Sequence, residues 1–321
     1  MADAFRRFRV ARKLRESSVI TSFHLVPETG EIWPYRPGQY LTLRIPGPQG
    51  PVLRTYSLSM ADGDPGFHRI SVKREDKGIG SGWLHDSVAE GDVIEAAAPR
   101  GSFVLDEDSS RPVLLLAGGV GLTPLLAMLH RLAPSGRKVW FLHAVENGEV
   151  QALRDEAASL AAASDGRIVV KSILRSPTAA DRGHGRVDAE GVIDKPLLQS
   201  LLPIDDYDVY LAVHDLAGPD LSSALPGVTD DLLVHLTERR VGHPATVIGI
   251  VSHPPVACLA GQNVSLRRLP GAGLLQLSCL DPALTFQLDK GFDGQPCGPK
   301  PRHDLRHEAL VEGQVDDLPA S

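Results

Sequence analysis

Cysteine is scarce in this 321-residue chain: there are three, Cys258, Cys279 and Cys297, all in the last quarter. An odd and sparse set of this kind argues against a secreted disulfide framework and for a reducing, cytoplasmic compartment. Long hydrophobic runs are lacking too. None approaches the ~20 residues that a bilayer span requires, so no membrane association is expected. Nor is there an excess of positive charge, since 33 Lys and Arg against 40 Asp and Glu leave a net −7. That balance argues against a nucleic-acid scaffold, although local basic clusters can still hold phosphates. What is present is 42% apolar and 23% charged residues, a globular composition. Single cores stop growing near ~250–300 residues, so the chain is expected to be multi-domain.

The basic segment Met1–Arg15 reads as a strand and not as a cleaved leader, because Phe8 and Val10 alternate with arginines and further β-branched and aromatic runs follow at Val19-Ile20 and Phe23–Val26. From Phe5 to about Leu105 the pattern is strand, turn, strand. The runs Tyr40–Ile45, Arg54–Leu58, Arg69–Lys73 and Asp92–Ala96 are punctuated by Pro46-Gly47-Pro48 and Gly63–Gly66, as between antiparallel strands of a barrel. Only Ser81–Val88 looks helical there. After the polar linker Asp106–Arg111 the register changes to the fully apolar strand Pro112–Ala117, a glycine turn and the helical run Thr123–His130. Strands at Val139–Ala144, Ile168–Leu174 and Asp208–Leu211, with a helix over Gln151–Ala163, complete a pattern that predicts a parallel sheet covered on both faces. From about Val241 the periodicity fades.

Gly118-Gly119-Val120-Gly121-Leu122-Thr123-Pro124 lies between a buried strand and a helix. Glycines there let the backbone approach an anion, and the free N–H groups of the helix start point at it. Proline early in the helix removes only an N–H that is unpaired anyway. Taken alone, the same turn also serves as a tight strand-to-helix connection. It is accompanied by Arg54-Thr55-Tyr56-Ser57, by Arg36-Pro37-Gly38-Gln39-Tyr40 before it, and by Gly78-Ile79-Gly80-Ser81-Gly82-Trp83 after it.

This ordered set resembles the ferredoxin–NADP⁺ reductase superfamily, and most closely the reductase module of flavohaemoglobins and oxygenase reductases, over Phe5 to Leu211. The resemblance implies a flavin on the barrel, with FAD favoured over FMN, and NAD(P)H as co-substrate. Arg54 would face the flavin diphosphate, for which a guanidinium fork is suited. Tyr56, with Thr55 beside it, would lie against the isoalloxazine ring, and Ser57 would place its hydroxyl near the flavin N5; Tyr56 and Ser57 are thus the implied catalytic pair. Tyr40 would be a further flavin contact, and Gly80 and Ser81 would hold phosphates. Gly119, Val120, Gly121, Leu122, Thr123 and Pro124 would line the nicotinamide-nucleotide site. The implied activity is hydride transfer from NAD(P)H to flavin and onward transfer to a haem protein, an iron–sulfur protein, an oxygenase or a small molecule. Arg175 and Arg182 stand where the family meets the adenosine ribose; an arginine there suits a 2′-phosphate or a solvated loop, which leaves NADH and NADPH open. No metal ligand set is expected from the scattered histidines.

The resemblance breaks after Leu211. The Cys-Gly-Pro that usually follows the last nucleotide-domain strand is replaced by Ala212–Pro219, and Val234–Arg240 stands where a terminal aromatic is usual. Gly273–Leu277 and Ala309–Leu318 are similar to the helix start and to the segment that follows the third cysteine of a plant-type 2Fe-2S ferredoxin domain, but the C-x₄-C-x₂-C ligand loop is missing. If Arg302–His307 is encoded CGG CAT GAT CTG CGG CAC G, reading one base later yields Gly-Met-Ile-Cys-Gly-Thr, the core of such a loop. The tail is therefore read either as translated out of frame or as a diverged, cluster-free appendage. The expected division is a flavin barrel at 1–106, a nucleotide domain at 107–240 and a degenerate, β-grasp-like ferredoxin tail at 241–321. The competing reading is a flavin-binding remnant impaired by the damaged C-terminal half.

Overall fold

The computed structural model describes residues 5–60, 66–203, 205–214, 247–252, 264–268, 275–279 and 285–288. The first six strands are β1 (Arg6–Arg15), β2 (Ile20–Pro27), β3 (Tyr40–Ile45), β4 (Val52–Ser57), β5 (His68–Lys73) and β6 (Val93–Arg100). They form an antiparallel sheet in the order β4-β3-β6-β1-β2-β5. Alternation decides which face is buried: Phe8 and Val10 are fully enclosed while Arg7 and Arg9 between them are exposed. The sheet's two edge strands meet just past the end of β4. Leu58 bridges Ile70, and the Ser59 N–H donates to the Arg69 carbonyl at 2.9 Å, which closes the sheet into a barrel. Helix α1 (Ile79–Asp86) drops Leu84 into the barrel core.

The second domain is a parallel sheet in the order β10-β9-β8-β7-β11-β12. Its strands are β7 (Val113–Gly118), β8 (Val139–Val145), β9 (Ile168–Leu174), β10 (Ala189–Glu190), β11 (Asp208–His214) and β12 (Val247–Ser252). Central strand β7 is apolar throughout because both its faces are covered. Val113, Leu115 and Ala117 join one core, beneath α2 (Leu122–Leu132) and α3 (Arg154–Ala162). Leu114 and Leu116 join the other, with Leu198 of α5 (Lys195–Leu201). Each fully buried leucine contributes about 1.5–3 kcal/mol.

Several elements depart from the sequence expectation. The helix expected from Gln151 starts at Arg154, since Gln151 is buried and donates through its side-chain amide to Ser172 Oγ at 2.9 Å, while Leu153 at φ 56° turns the chain into the helix. Helix α4 (Ala179–Gly183) and α5 are additional. The parallel sheet draws its sixth strand, β12, from beyond residue 240, in parallel register with β11 from Val209–Val247 to His214–Ser252. Farther along, β13 (Val264–Arg268), β14 (Leu275–Cys279) and β15 (Thr285–Leu288) form an antiparallel meander. Leu275–Cys279 is therefore a strand, paired on both sides, where the ferredoxin comparison implied the start of a helix. Cys258, Cys297, 302–307 and 309–318 lie outside the described residues.

The domains share an interface that pins the linker. The Asp106 N–H donates to Tyr210 Oη at 2.8 Å. Arg137, itself paired with Asp208 at 2.7 Å, donates to the carbonyls of Asp106 and Arg111 at 2.9 and 2.8 Å. Ile20 of the barrel is buried within the nucleotide-domain core.

Candidate active site

One cleft runs between the domains, and most of the residues singled out from the sequence line it: Tyr40, Arg54, Thr55, Tyr56 and Ser57 with Gly80 and Ser81 on the barrel side, facing Val120, Gly121, Thr123 and Pro124. The β3–β4 register places Tyr40 opposite Ser57, Leu41 opposite Tyr56 and Leu43 opposite Arg54. Gly101, at φ +118°, admits the Tyr40 ring, whose Cε1 lies 3.0 Å from where a Cβ would stand. Gly80 works the same way: a Cβ there would meet the Tyr56 hydroxyl at 2.6 Å and Arg54 Cγ at 2.9 Å. Burial pushes the Tyr56 phenol pKa up against the opposing effect of Arg54, so this ring is neutral.

Helix α1 begins at Gly78 without a side-chain cap and without an acidic residue in its first turn. Its first N–H groups therefore face the cleft as a partial positive charge. The Ser81 hydroxyl does not: it closes the turn locally, donating to the Gly78 carbonyl and accepting from the Glu75 N–H at 3.1 Å. Arg54 has no carboxylate partner among the described residues; its Nη1 donates to the Leu53 carbonyl at 2.7 Å. Lys73 and Lys77 line the same wall. This set of cations and helix N–H groups, with Gly80 holding the backbone close, fits a diphosphate flanked by an aromatic platform.

On the opposite wall the glycine turn is a 3-10 turn, Gly119–Gly121, leading into α2. A side chain at Gly121 would run into the Ala212 carbonyl, and a Cβ at Gly118 would lie 2.7 Å from Val213 Cγ1. The glycines thus let β11 pass directly behind the turn. Two residues chosen from the sequence do not line the cleft. Leu122 is 1% exposed because its helical position faces the core with Leu125 and Leu126. Gly119, at φ +55°, sits behind the turn, its carbonyl accepting from His143 Nε2 at 3.0 Å. Burial lowers the His143 pKa to about 4, so this ring is a neutral donor.

Ser71, Val72, Lys73, Glu75, Lys77, Ala212 and Val213 line the cleft as well and were not singled out from the sequence. The Lys73-x-Glu75-x-Lys77 alternation was the available signal. Among the described residues no group of three or more His, Cys, Asp or Glu could hold a metal ion, and no helix is long and apolar enough to cross a membrane.

Comparison with known proteins matches residues 7–105 to the oxidoreductase FAD-binding domain and residues 115–212 to the oxidoreductase NAD-binding domain. The solved flavohem-like FAD/NAD-binding domain of nitric oxide dioxygenase from Vibrio cholerae is 36% identical with a TM-score of 0.57, covering 64% of this chain and 86% of that one. The chain belongs to the ferredoxin–NADP⁺ reductase superfamily. Phthalate dioxygenase reductase, a structure for electron transfer from pyridine nucleotides to [2Fe-2S], is 25% identical at TM-score 0.59, over 79% of this chain and 71% of that one. A flavohemoprotein of Halalkalibacterium halodurans is 42% identical over 217 residues, 64% of this chain and 52% of that protein. One from Deinococcus radiodurans is 42% identical over 243 residues, 74% and 58%. The chain thus spans about half the length of the curated relatives it matches, and this superfamily's two-domain arrangement is what its barrel and parallel sheet display.

Proposed function

We propose that the chain is an NAD(P)H-dependent flavin oxidoreductase that passes electrons to a haem protein, an iron–sulfur protein or an oxygenase. The observation that carries the reading is the shared cleft, in which the Arg54–Ser57 strand and the N-terminus of α1 face the glycine turn of the nucleotide domain across one space. A bound flavin supplies hydride acceptance and electron release. Arg54, Lys73, Lys77 and the α1 N–H groups hold its diphosphate, and Tyr56 and Tyr40 bracket its ring. Ser57 offers a hydroxyl at the edge of the same strand, with no side-chain partner among the described residues. Val120, Gly121, Thr123 and Pro124 orient the nicotinamide nucleotide, with Thr123 Oγ1 donating back to the Val120 carbonyl at 3.1 Å to stiffen the turn. The sparse cysteines favour a cytoplasmic setting, and the tail is read as a ferredoxin-like segment without a cluster.

The test is to purify the chain, record its spectrum and add NADH or NADPH without oxygen. Expected are one flavin per chain, bleaching by at least one nicotinamide, and neither iron nor acid-labile sulfide. A bound flavin that stays oxidised would identify a flavin-binding remnant instead.

A further inference from the structure

A polar relay, buried at Arg69 and half-buried at Glu156 and His130, links the two walls of the cleft. Arg69 of β5 is 6% exposed and forms a two-pronged ion pair with Glu156 of α3, both contacts at 2.7 Å. The oxygen that Arg69 Nη2 pairs with, Glu156 Oε1, also accepts from His130 Nε2 of α2 at 2.5 Å. On the barrel face turned away from its core, Arg69 Nε donates to Ser59 Oγ at 3.1 Å. Ser59 Oγ contacts Ser71 Oγ at 2.9 Å, and Ser71 Oγ contacts Ser22 Oγ at 2.7 Å. Ser71 lines the cleft. A barrel strand and two helices of the other domain are therefore joined through one carboxylate.

The elements involved carry the cleft walls themselves. Strand β5 presents Ser71 and Lys73 to the cleft, and Arg69, two residues before Ser71, is on the same face of the strand. Helix α2 presents Thr123 and Pro124 at its start and carries His130 about 10 Å along its axis. Ser59 follows directly on the Arg54–Ser57 strand at the point where the barrel closes. A shift at Glu156 thus moves α2 relative to β4 and β5, and a displacement near 1 Å suffices to spoil alignment of two reacting groups.

We propose that Arg69, Glu156 and His130 are positioning residues that set the separation between the flavin wall and the nicotinamide wall. The proposal rests on the oxidoreductase reading above and assigns no contact with either cofactor to the three residues. They act through Ser59 and Ser71 on one side and through α2 on the other. A two-pronged pair with its guanidinium buried fixes direction as well as distance, which a single exposed ion pair does not.

Two measurements on the full chain with its flavin test this. In Glu156→Gln the limiting rate of anaerobic flavin reduction falls at least tenfold, while flavin content and the half-saturating nicotinamide concentration stay within twofold of wild type. A change in half-saturation alone, or an unchanged limiting rate, overturns the proposal. The second readout needs no turnover: the Ser18 N–H donates across the same interface to the Glu149 carbonyl at 2.9 Å, and its exchange with deuterium, followed by mass spectrometry, speeds up at least tenfold. Unchanged exchange overturns it equally. Should Glu156→Gln fail to fold, His130→Gln decides by the same criteria, since it leaves the Arg69–Glu156 pair in place. If wild type is not reduced by nicotinamide, the oxidoreductase reading falls and the exchange measurement alone judges whether Arg69, Glu156 and His130 hold the two domains in place.

Discussion

The hydroxyl of Tyr56 lies 2.6 Å from the point where a Cβ would stand on Gly80, so the cleft's aromatic platform and the start of α1 are in contact only because residue 80 has no side chain. The same Cβ would meet Arg54 and Ile45, each at 2.9 Å. Gly80→Ala is therefore expected to split two properties. Alanine adds up to about 1 kcal/mol of helix propensity to α1, while overpacking of about 1–3 kcal/mol falls on the residues proposed to hold the flavin. Fluorescence titration of the flavin-free protein should show affinity weakened about tenfold or more with little change in Tm. Unchanged affinity would show that the Tyr56–Gly80 contact has no part in binding.

Among the described residues the Arg54 side chain makes a single hydrogen bond, to its neighbour's carbonyl, so removing it costs the empty fold little. Charge-assisted hydrogen bonds to a diphosphate contribute about 1.5–3 kcal/mol, which corresponds to roughly a 10- to 150-fold loss of flavin affinity in Arg54→Ala. Arg54→Lys should recover part of this, because the charge remains while the fork does not. The flavin-to-protein ratio after gel filtration reads both, and wild-type occupancy in Arg54→Ala would remove Arg54 from the phosphate site.

How far the sequence reveals this arrangement depends on the range of the forces involved. The apolar run of β7 and the Gly118–Pro124 turn are local and were legible, as was the alternation at Phe8 and Val10. Helices α4 and α5 are short, but their caps were there to be read: Thr178 accepts from the Asp181 N–H at 3.1 Å while Asp181 caps in return, and Asp194 accepts from the Leu197 N–H at 2.9 Å. Strand β12, Val247–Ser252, is β-branched at four of its six positions and so carries a local strand signal, but its place in the parallel sheet is set by register with β11. The Arg69–Glu156 pair joins residues 87 apart, and nothing in either local sequence marks them as partners. Leu122 and Gly119 belong to the legible motif, yet the helical turn directs one to the core and His143 holds the carbonyl of the other.

Two histidines make the fold sensitive to mild acid. Burial lowers both His68 and His143 to about pKa 4 from the ordinary 6.5. Among the described residues the His68 ring nitrogens have no hydrogen-bond partner, and Phe8, Trp33 and Tyr35 surround the ring. The unfolded chain takes up these two protons near pH 6.5 and the folded one only near pH 4. Stability is thus fully present above 6.5 and falls as pH drops towards 4, by about 3 kcal/mol per histidine at most. Denaturant unfolding between pH 8 and 4 should show this slope, to which His24 and His85, also lowered by burial, add, and His68→Phe should make it clearly shallower. A flat profile across that window would mean that both rings already carry protons in the fold.

Arg182 bears on the choice between NADH and NADPH. Dinucleotides cross the carboxyl ends of the strands where the sheet order reverses, here between β7 and β11, with the ends of β8 and β9 continuing the groove. Arg175, directly after β9, is exposed. Arg182 is turned instead to Glu190 of β10, with Nε and Nη2 each at 2.8 Å from the carboxylate, and its Nη1 donates to the Pro177 carbonyl at 2.9 Å. The pairing lowers the Glu190 pKa and raises that of Arg182, so the carboxylate is charged at neutral pH and would repel a 2′-phosphate as well as occupy the fork meant for it. Wild type is accordingly expected to prefer NADH. Glu190→Gln removes the repulsion and frees a guanidinium that can pair with phosphate in bidentate fashion, which should raise the NADPH-to-NADH ratio of kcat/KM by about tenfold while leaving kcat/KM for NADH within about twofold. A ratio that does not move would place Arg182 away from the ribose and leave Arg175 as the cation to test next.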